Sequence, residues 1–168
     1  MNYIYKYQSS LGAITLASNG SGLTGLWFDG QKYDRAALTD GYREKALPVF
    51  NETIRWLDCY FKGEIPDFTP KLALNDSPFR LEVWEILKKI PYGKTMTYGQ
   101  IAKELANRHG RSGMSAQAVG GAVGHNPISL IIPCHRVVGS NGSLTGYAGG
   151  IDRKAALLTL EQVNMKAL

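Results

Sequence analysis

Cys134, His135 and Arg136 stand in a row at the end of an apolar run that starts at Asn126-Pro127 and continues through Ile128-Ser129-Leu130-Ile131-Ile132-Pro133. A thiol is a soft nucleophile, but an ordinary pKa of about 8.5 leaves only a few per cent of it as thiolate at neutral pH unless a base or a positive charge assists. His135 is placed to be that base. Taken singly, a cysteine in apolar surroundings is also an ordinary packing residue, and that reading suits the second one, Cys59, in the helical pattern Trp56-Leu57-Asp58-Cys59-Tyr60. Metal ligation fits poorly. Beside the two cysteines there are three histidines, His109, His125 and His135, and no paired cysteine spacing of the structural-zinc kind. No Gly-rich loop ends in Lys-Ser/Thr as a nucleotide-binding loop would, so neither metal nor other cofactor is expected.

Downstream, Ser140-Asn141-Gly142-Ser143 reads as a tight turn, and Leu144-Thr145-Gly146-Tyr147-Ala148-Gly149-Gly150 as a flexible loop able to close over a pocket. A helix is expected from near Ile151, with Leu157, Leu158 and Leu160 as its apolar positions and Glu161 late in it. A carboxylate there opposes the helix dipole. Glu161 therefore calls for a partner, either a surface cation or His135, and the second choice would complete a Cys/His/Glu set.

The elements that must carry these residues are mostly helical. Ser77-Pro78 reads as a cap with proline in the first turn, followed by an apolar stripe of Leu81, Val83, Trp84, Leu87 and Ile90 and a stop at Pro91-Tyr92-Gly93. Thr97-Tyr98-Gly99-Gln100 matches a capping box and opens a helix with Ile101, Ala102 and Leu105 inward. A basic link, Asn107 to Gly113, leads to Ser115 as the cap of a helix over Ala116 to Val123, ended by Gly124. Two short helices joined this way read as a helix-turn-helix. The second contains almost no bulk, and its two interior glycines cost roughly 1 kcal/mol each relative to alanine. Close packing on another helix is one explanation. Close approach to DNA is the other, with Gln117 as the main polar reach.

The first 30 residues differ in kind. Tyr3–Tyr7, Ala13–Ala17 and Leu23–Phe28 alternate apolar and polar residues between Gly- and Asn-rich turns, the pattern of an antiparallel meander. After a polar stretch from Asp29 to Lys45, Val49, Ile54, Leu57, Tyr60 and Phe61 follow the helical period behind Pro48, and Lys62 to Ser77 reads as an extended connection. The expected fold class is α+β: a small N-terminal antiparallel sheet with a helix over residues 1–76, and a C-terminal helical, winged helix-turn-helix domain over residues 77–168.

With 168 residues, 44% of them hydrophobic and 20% charged, the chain can bury a real core, which argues against disorder. No apolar run approaches the ~18 residues of a membrane span, and Met1-Asn2-Tyr3-Ile4-Tyr5-Lys6 lacks the pattern of a signal peptide. A soluble, cytoplasmic, monomeric protein with no membrane partner and both cysteines as thiols is expected. The net charge of +5 is uneven: residues 1–78 hold 8 Lys/Arg against 9 Asp/Glu, and residues 79–168 hold 11 against 5. Lys and Arg that neutralise phosphates dominate nucleic-acid affinity, although a charge of this size is also compatible with an ordinary basic surface.

Pro133-Cys134-His135-Arg136-Val137, preceded by Asn126-Pro127 and followed by Tyr147-Ala148-Gly149-Gly150 and Glu161, resembles the O6-alkylguanine-DNA alkyltransferase family, also called methylated-DNA-protein-cysteine methyltransferase. The resemblance covers Ser77 to Glu161 closely and the first half more loosely, whose strands and helix suit that family's ribonuclease-H-like domain. It implies a repair protein, used once, that moves a methyl or larger alkyl group from O6 of guanine, with O4 of thymine as a second candidate target, onto its own cysteine. The partner implied is double-stranded DNA containing O6-alkylguanine, with the damaged nucleotide flipped out of the duplex.

The resemblance assigns the roles. Cys134 is the acceptor, His135 its base through a water, and Glu161 the group that orients His135. Tyr98 donates a hydrogen bond to the departing base, and Asn126 ties the helix-turn-helix to the active-site segment. The carbonyls of Cys134 and Val137 accept from the guanine amino group, while Tyr147, Ala148 and Gly149 form the substrate loop. Ser115, Gln117, Ala118, Gly121 and Arg136 are expected to meet DNA. Gln117 stands where the family commonly has arginine, and Ala148 where some members have serine. Two other classes compete. A winged helix-turn-helix regulator would need side chains for reading base edges, which the Ala/Gly helix does not supply. A thiol hydrolase would need neither the basic half nor that helix.

Overall fold

The computed structural model describes residues 2–31, 41–144 and 146–163. Thr145 of the expected loop and part of the polar stretch after Asp29 lie outside the described residues. The chain divides into two compact units, one of residues 1–75 with 127–131 and the other of residues 76–126 with 132–168.

In the first unit, β1 (Asn2–Ser9), β2 (Gly12–Ser18) and β3 (Leu23–Phe28) form the expected meander. A strand unforeseen in the polar stretch, β4 (Tyr42–Glu44), adds parallel to β1, so the order is β3-β2-β1-β4 and the sheet is mixed at one edge. Ile14, Leu16, Leu26 and Phe28 are fully buried. Helix α1 (Pro48–Phe61) begins with proline, which needs no N–H partner in a first turn, and buries Phe50, Thr53, Trp56, Leu57 and Tyr60. Cys59, read as a packing residue, is half-buried, and its thiol lies 3.8 Å from Glu64 Oε2. Gly25 is needed where it stands: a Cβ there would lie 2.5 Å from the Trp27 ring.

The free edge of β3 is covered twice, which removes an open template for strand pairing. Leu23 exchanges backbone hydrogen bonds with Lys71 and Ala73, and Leu26 does so with Pro127 and Ser129. Residues 127–131 thus belong with the first unit, a return that no local pattern in the sequence announces.

The second unit holds α2 (Pro78–Lys88), β5 (Met96–Thr97), α3 (Tyr98–Arg108), α4 (Ala116–Gly124), a 3-10 turn (Cys134–Arg136), β6 (Val137–Val138) and α5 (Ile151–Leu160). Its helix starts follow the expected chemistry. Ser77 accepts from the Arg80 N–H, and Thr97 and Gln100 form a reciprocal capping box. On α2 the buried face is Val83, Trp84, Ile86 and Leu87, with Ile86 in place of the expected Leu81. α4 packs on α2 and α3 through Val119, Ala122 and Val123, and the Trp84 indole N–H donates to the Ala122 carbonyl at 2.9 Å. No described helix is long and apolar enough to cross a membrane.

Candidate active site and nucleic-acid interface

All of the candidate catalytic, substrate-binding and DNA-binding residues lie in the second unit. Cys134 opens the 3-10 turn, and its amide bonds to Ile132 O at 2.8 Å, so the tight turn sets His135 and Arg136 beside it. β6 follows at once and pairs in parallel with β5, Met96 against Val137 and Thr97 against Val138. Tyr98 is the next residue after β5. That short ladder brings the start of α3 close enough to Cys134 for the sulfur to influence the phenol. Tyr98 is further bounded by α4 and by the loop: a Cβ on Gly120 would lie 4.0 Å from its ring, and one on Gly146 would lie 2.8 Å from its hydroxyl.

Cys134 and His135 are buried, the latter completely. His135 Nε2 lies 2.6 Å from Glu161 Oε2, so the partner of Glu161 is the histidine and not a surface cation. The carboxylate is held from three further directions. Arg136 Nε donates to Oε1 at 2.8 Å, Arg136 Nη2 to Oε2 at 3.2 Å, and the Gly93 N–H to Oε1 at 3.0 Å. Burial alone would raise the Glu161 pKa, yet the hydrogen bonds of His135 and Arg136 and the Arg136 charge outweigh it and hold the group down to about 2. Burial pushes His135 below its ordinary value, against the pull of Glu161.

Arg136 is corrected by this geometry. It was expected to meet DNA, but it is buried, its fork is taken by Glu161, and its Nη1 donates to Ile90 O at 2.7 Å. A guanidinium committed to a buried carboxylate is not available to a phosphate.

Burial raises the Cys134 thiol above its ordinary value; the Asn126 side chain, the Lys154 ammonium and backbone N–H groups act against this and favour the thiolate. Asn126 also donates to Ile132 O at 2.7 Å, which ties the end of α4 to the residues just before the nucleophile. Lys154 was missed from sequence. It is fully buried on α5, its ammonium donates to Val137 O, and burial lowers its pKa to about 8 while Cys134 acts in the opposite direction. A signal existed: Lys154, Leu157, Leu158 and Glu161 share one helical stripe, and a lysine in an apolar stripe needs a partner. We expect Lys154→Met to slow reaction at Cys134 by about 10- to 100-fold through loss of an opposing charge beside the sulfur. Stability should stay within about 1 kcal/mol, because removing a buried charge offsets leaving the Val137 carbonyl without its donor. Single-turnover kinetics and thermal melting check both halves.

The two carbonyls expected to read a substrate amino group already accept internal bonds, Cys134 O from the Val137 N–H and Val137 O from Lys154. Each carbonyl oxygen has a second lone pair. Tyr147 is buried edge-on to the His135 ring at 6.5 Å, Gly149 is tucked beneath it where a Cβ would lie 2.6 Å from the Tyr147 ring, and Ala148 is half-buried between them.

On α4, Ser115 caps the helix by accepting from the Ala118 N–H, and Ser115, Gln117, Ala118 and Gly121 are exposed. Packing accounts for one of its small residues. Ala122 is small where α2 packs on it, but a Cβ on Gly121 or Gly124 would meet no other atom within 4 Å. Packing inside the described chain does not require those glycines.

Known proteins match this chain over nearly its whole length. The family model described as 6-O-methylguanine DNA methyltransferase, DNA binding domain, matches residues 78–163, and that of the same family's ribonuclease-like domain matches residues 2–74. The chain is similar to the methylated-DNA–protein-cysteine methyltransferase of Mycobacterium tuberculosis, 45% identical over 157 residues that cover 92% of this chain and 88% of the relative. It is also similar to that of Methanosarcina acetivorans, 44% identical over 160 residues that cover 95% and 97% of the two chains. The solved structure of Mycobacterium tuberculosis OGT in complex with DNA superposes with a TM-score of 0.82 at 42% identity, over 95% of this chain and 92% of that one. Sequence, domain order and fold thus converge: the chain belongs to the 6-O-methylguanine DNA methyltransferase family.

Proposed function

We propose that this protein repairs alkylated DNA by direct reversal, moving a methyl or other alkyl group from O6 of guanine to Cys134. The observation that carries the reading is a buried thiol set directly before a His135–Glu161 pair at 2.6 Å, in the unit matched by the family's DNA-binding domain. The Cys134 proton passes to His135 through a water. The thiolate then attacks the alkyl carbon, the S–C bond forms, and the C–O6 bond breaks with its electron pair leaving on guanine. Net, the alkyl group on guanine is replaced by the thiol proton. Tyr98 donates a hydrogen bond to the base as charge develops on it. The product is a thioether, a poor leaving group, so each molecule acts once.

Reaching O6 inside a duplex requires the nucleotide to leave the stack, at a few kcal/mol. Gln117 then occupies the vacated space, and the bare surface at Gly121 and Gly124 leaves room for the groove to approach the backbone of α4. The backbone of Tyr147, Ala148 and Gly149 frames O6. Action on DNA with two free thiols fits a cytoplasmic location.

The test is incubation with duplex DNA containing O6-methylguanine followed by peptide mass mapping. One methyl group should appear on the peptide bearing Cys134 as the lesion disappears; an intact lesion with unmodified Cys134 overturns the reading. The α4 surface makes a separate prediction. Gly121→Ala should raise stability by about 1 kcal/mol, as expected for alanine replacing an exposed helical glycine, while weakening duplex binding about tenfold or more, roughly 1.4 kcal/mol. Melting and DNA titration read the two effects, and unchanged binding would show that the groove does not approach Gly121.

A further inference from the structure

We propose that Arg136 is a positioning residue for transfer: by supplying the counter-charge of Glu161, it keeps His135 neutral and in the tautomer that can receive the Cys134 proton. This rests on the alkyl-transfer reading and explains how its base is kept ready.

The argument is one of charge count and geometry. Glu161 carries a single negative charge and is completely buried at its side chain. If His135 were its sole cationic partner, the buried pair would favour imidazolium with carboxylate, and a protonated histidine accepts nothing. Arg136 occupies the carboxylate instead, through Nε at 2.8 Å and Nη2 at 3.2 Å. A guanidinium does not give up its proton in a protein, so the compensation is permanent.

Arg136 is itself fixed. Ile90 O takes its Nη1 at 2.7 Å, and its guanidinium carbon sits 5.7 Å from the centre of the Tyr92 ring, whose hydroxyl reaches Leu160 O at 3.3 Å. The groups facing His135 are Glu161 just after α5 and Lys154 within it, Arg136 from its own turn, and the Tyr147 ring from the loop. A proton on His135 would place a third cation near Arg136 and Lys154, both of which already act against it. That arrangement is disfavoured in a buried site. An ionised carboxylate only accepts hydrogen bonds, so at Nε2 the imidazole must be the donor. The lone pair is then on Nδ1, which accepts the incoming proton.

The full chain tests this by the pH profile of single-turnover transfer, together with nitrogen NMR of the His135 ring. In the wild type, the ring should remain neutral with its proton on Nε2 down through the ordinary histidine range. In Arg136→Met, Glu161 is left to His135, the ring should hold its proton to higher pH, and the acid limb of the rate should move up by at least about one pH unit, with the rate recovering above the limb. Arg136→Lys, which keeps the charge, should bring the limb back toward wild type. A rate lowered equally at every pH with an unmoved limb would overturn the proposal, as would an imidazolium in the resting wild type at pH 7. Should Arg136→Met not fold, the wild-type NMR titration and Arg136→Lys still decide. If the wild type transfers no alkyl group, the functional reading fails on its own, and the His135 ring signals still report on Arg136.

Discussion

Replacing Cys134 by alanine is expected to abolish alkyl transfer completely while leaving DNA binding intact. Two features set this expectation. The thiol is the only one of the two cysteines in the second unit, and the surface expected to meet DNA, with Ser115, Gln117, Ala118 and Gly121, lies on a different element, α4. Burial holds Cys134 above its ordinary pKa, so the resting group is a neutral thiol and its loss removes no ionic contact. The cost to stability should be about 1 kcal/mol, the scale of deleting one small buried group. Lesion-containing duplex should therefore still titrate with near wild-type affinity, which weakens as salt rises. Measurable transfer by the alanine variant would mean that another group is the acceptor. Loss of binding would mean that the sulfur, and not the helix-turn-helix, holds the DNA.

Glu161→Gln should act on both stability and chemistry. The amide presents the Arg136 guanidinium with a neutral acceptor and can no longer be the anion that His135 needs. Breaking a buried, hydrogen-bonded pair from one side costs about 3–5 kcal/mol, and loss of an oriented base should slow transfer by roughly 10²- to 10⁴-fold. The pH dependence gives the prediction a sign. Glu161 falls from 4.5 to about 2 on folding, so its contribution is fully present above about pH 4.5 and is lost as pH falls toward 2. Acid titration of the wild type should show this loss, and the glutamine variant should lack that part of the dependence. Chemical denaturation measured across pH 2–6, with transfer assayed well below the melting temperature, separates the two effects. A glutamine variant as stable as wild type would show that the four contacts to Glu161 contribute little.

What was legible in the sequence was local. Thr97 and Gln100 cap each other across three residues, Ser77 and Ser115 cap the helices directly after them, and β1 to β3 are joined by short turns, so each needs only neighbours in the chain. A carboxylate at a helix end calls for a partner, and it is the family resemblance, not the helix, that names His135 as the partner of Glu161. The rest depended on contacts distant in sequence. β4 exists because β1 offers it an edge, and Pro127 returns to β3 because Leu26 has backbone groups to satisfy. The family resemblance sets Arg136 against DNA, and nothing near it in sequence shows that Ile90 and Glu161 claim its donors. Lys154 went unnoticed for the same reason: Val137 and Cys134, its partners, belong to a segment read separately from α5.

The contacts of Glu161 also govern when reactivity arises. His135 lies 26 residues ahead of Glu161, and a chain is synthesised from its N-terminus at about 5–20 residues per second, so the carboxylate follows the histidine by roughly 1–5 s. During that interval Lys154 and then Glu161 are still to come, and the newly made thiol has neither the ammonium beside it nor an oriented base. Until then Cys134 has only the ordinary chemistry of an exposed thiol, and the oriented base is assembled when Glu161, at the end of α5, reaches His135.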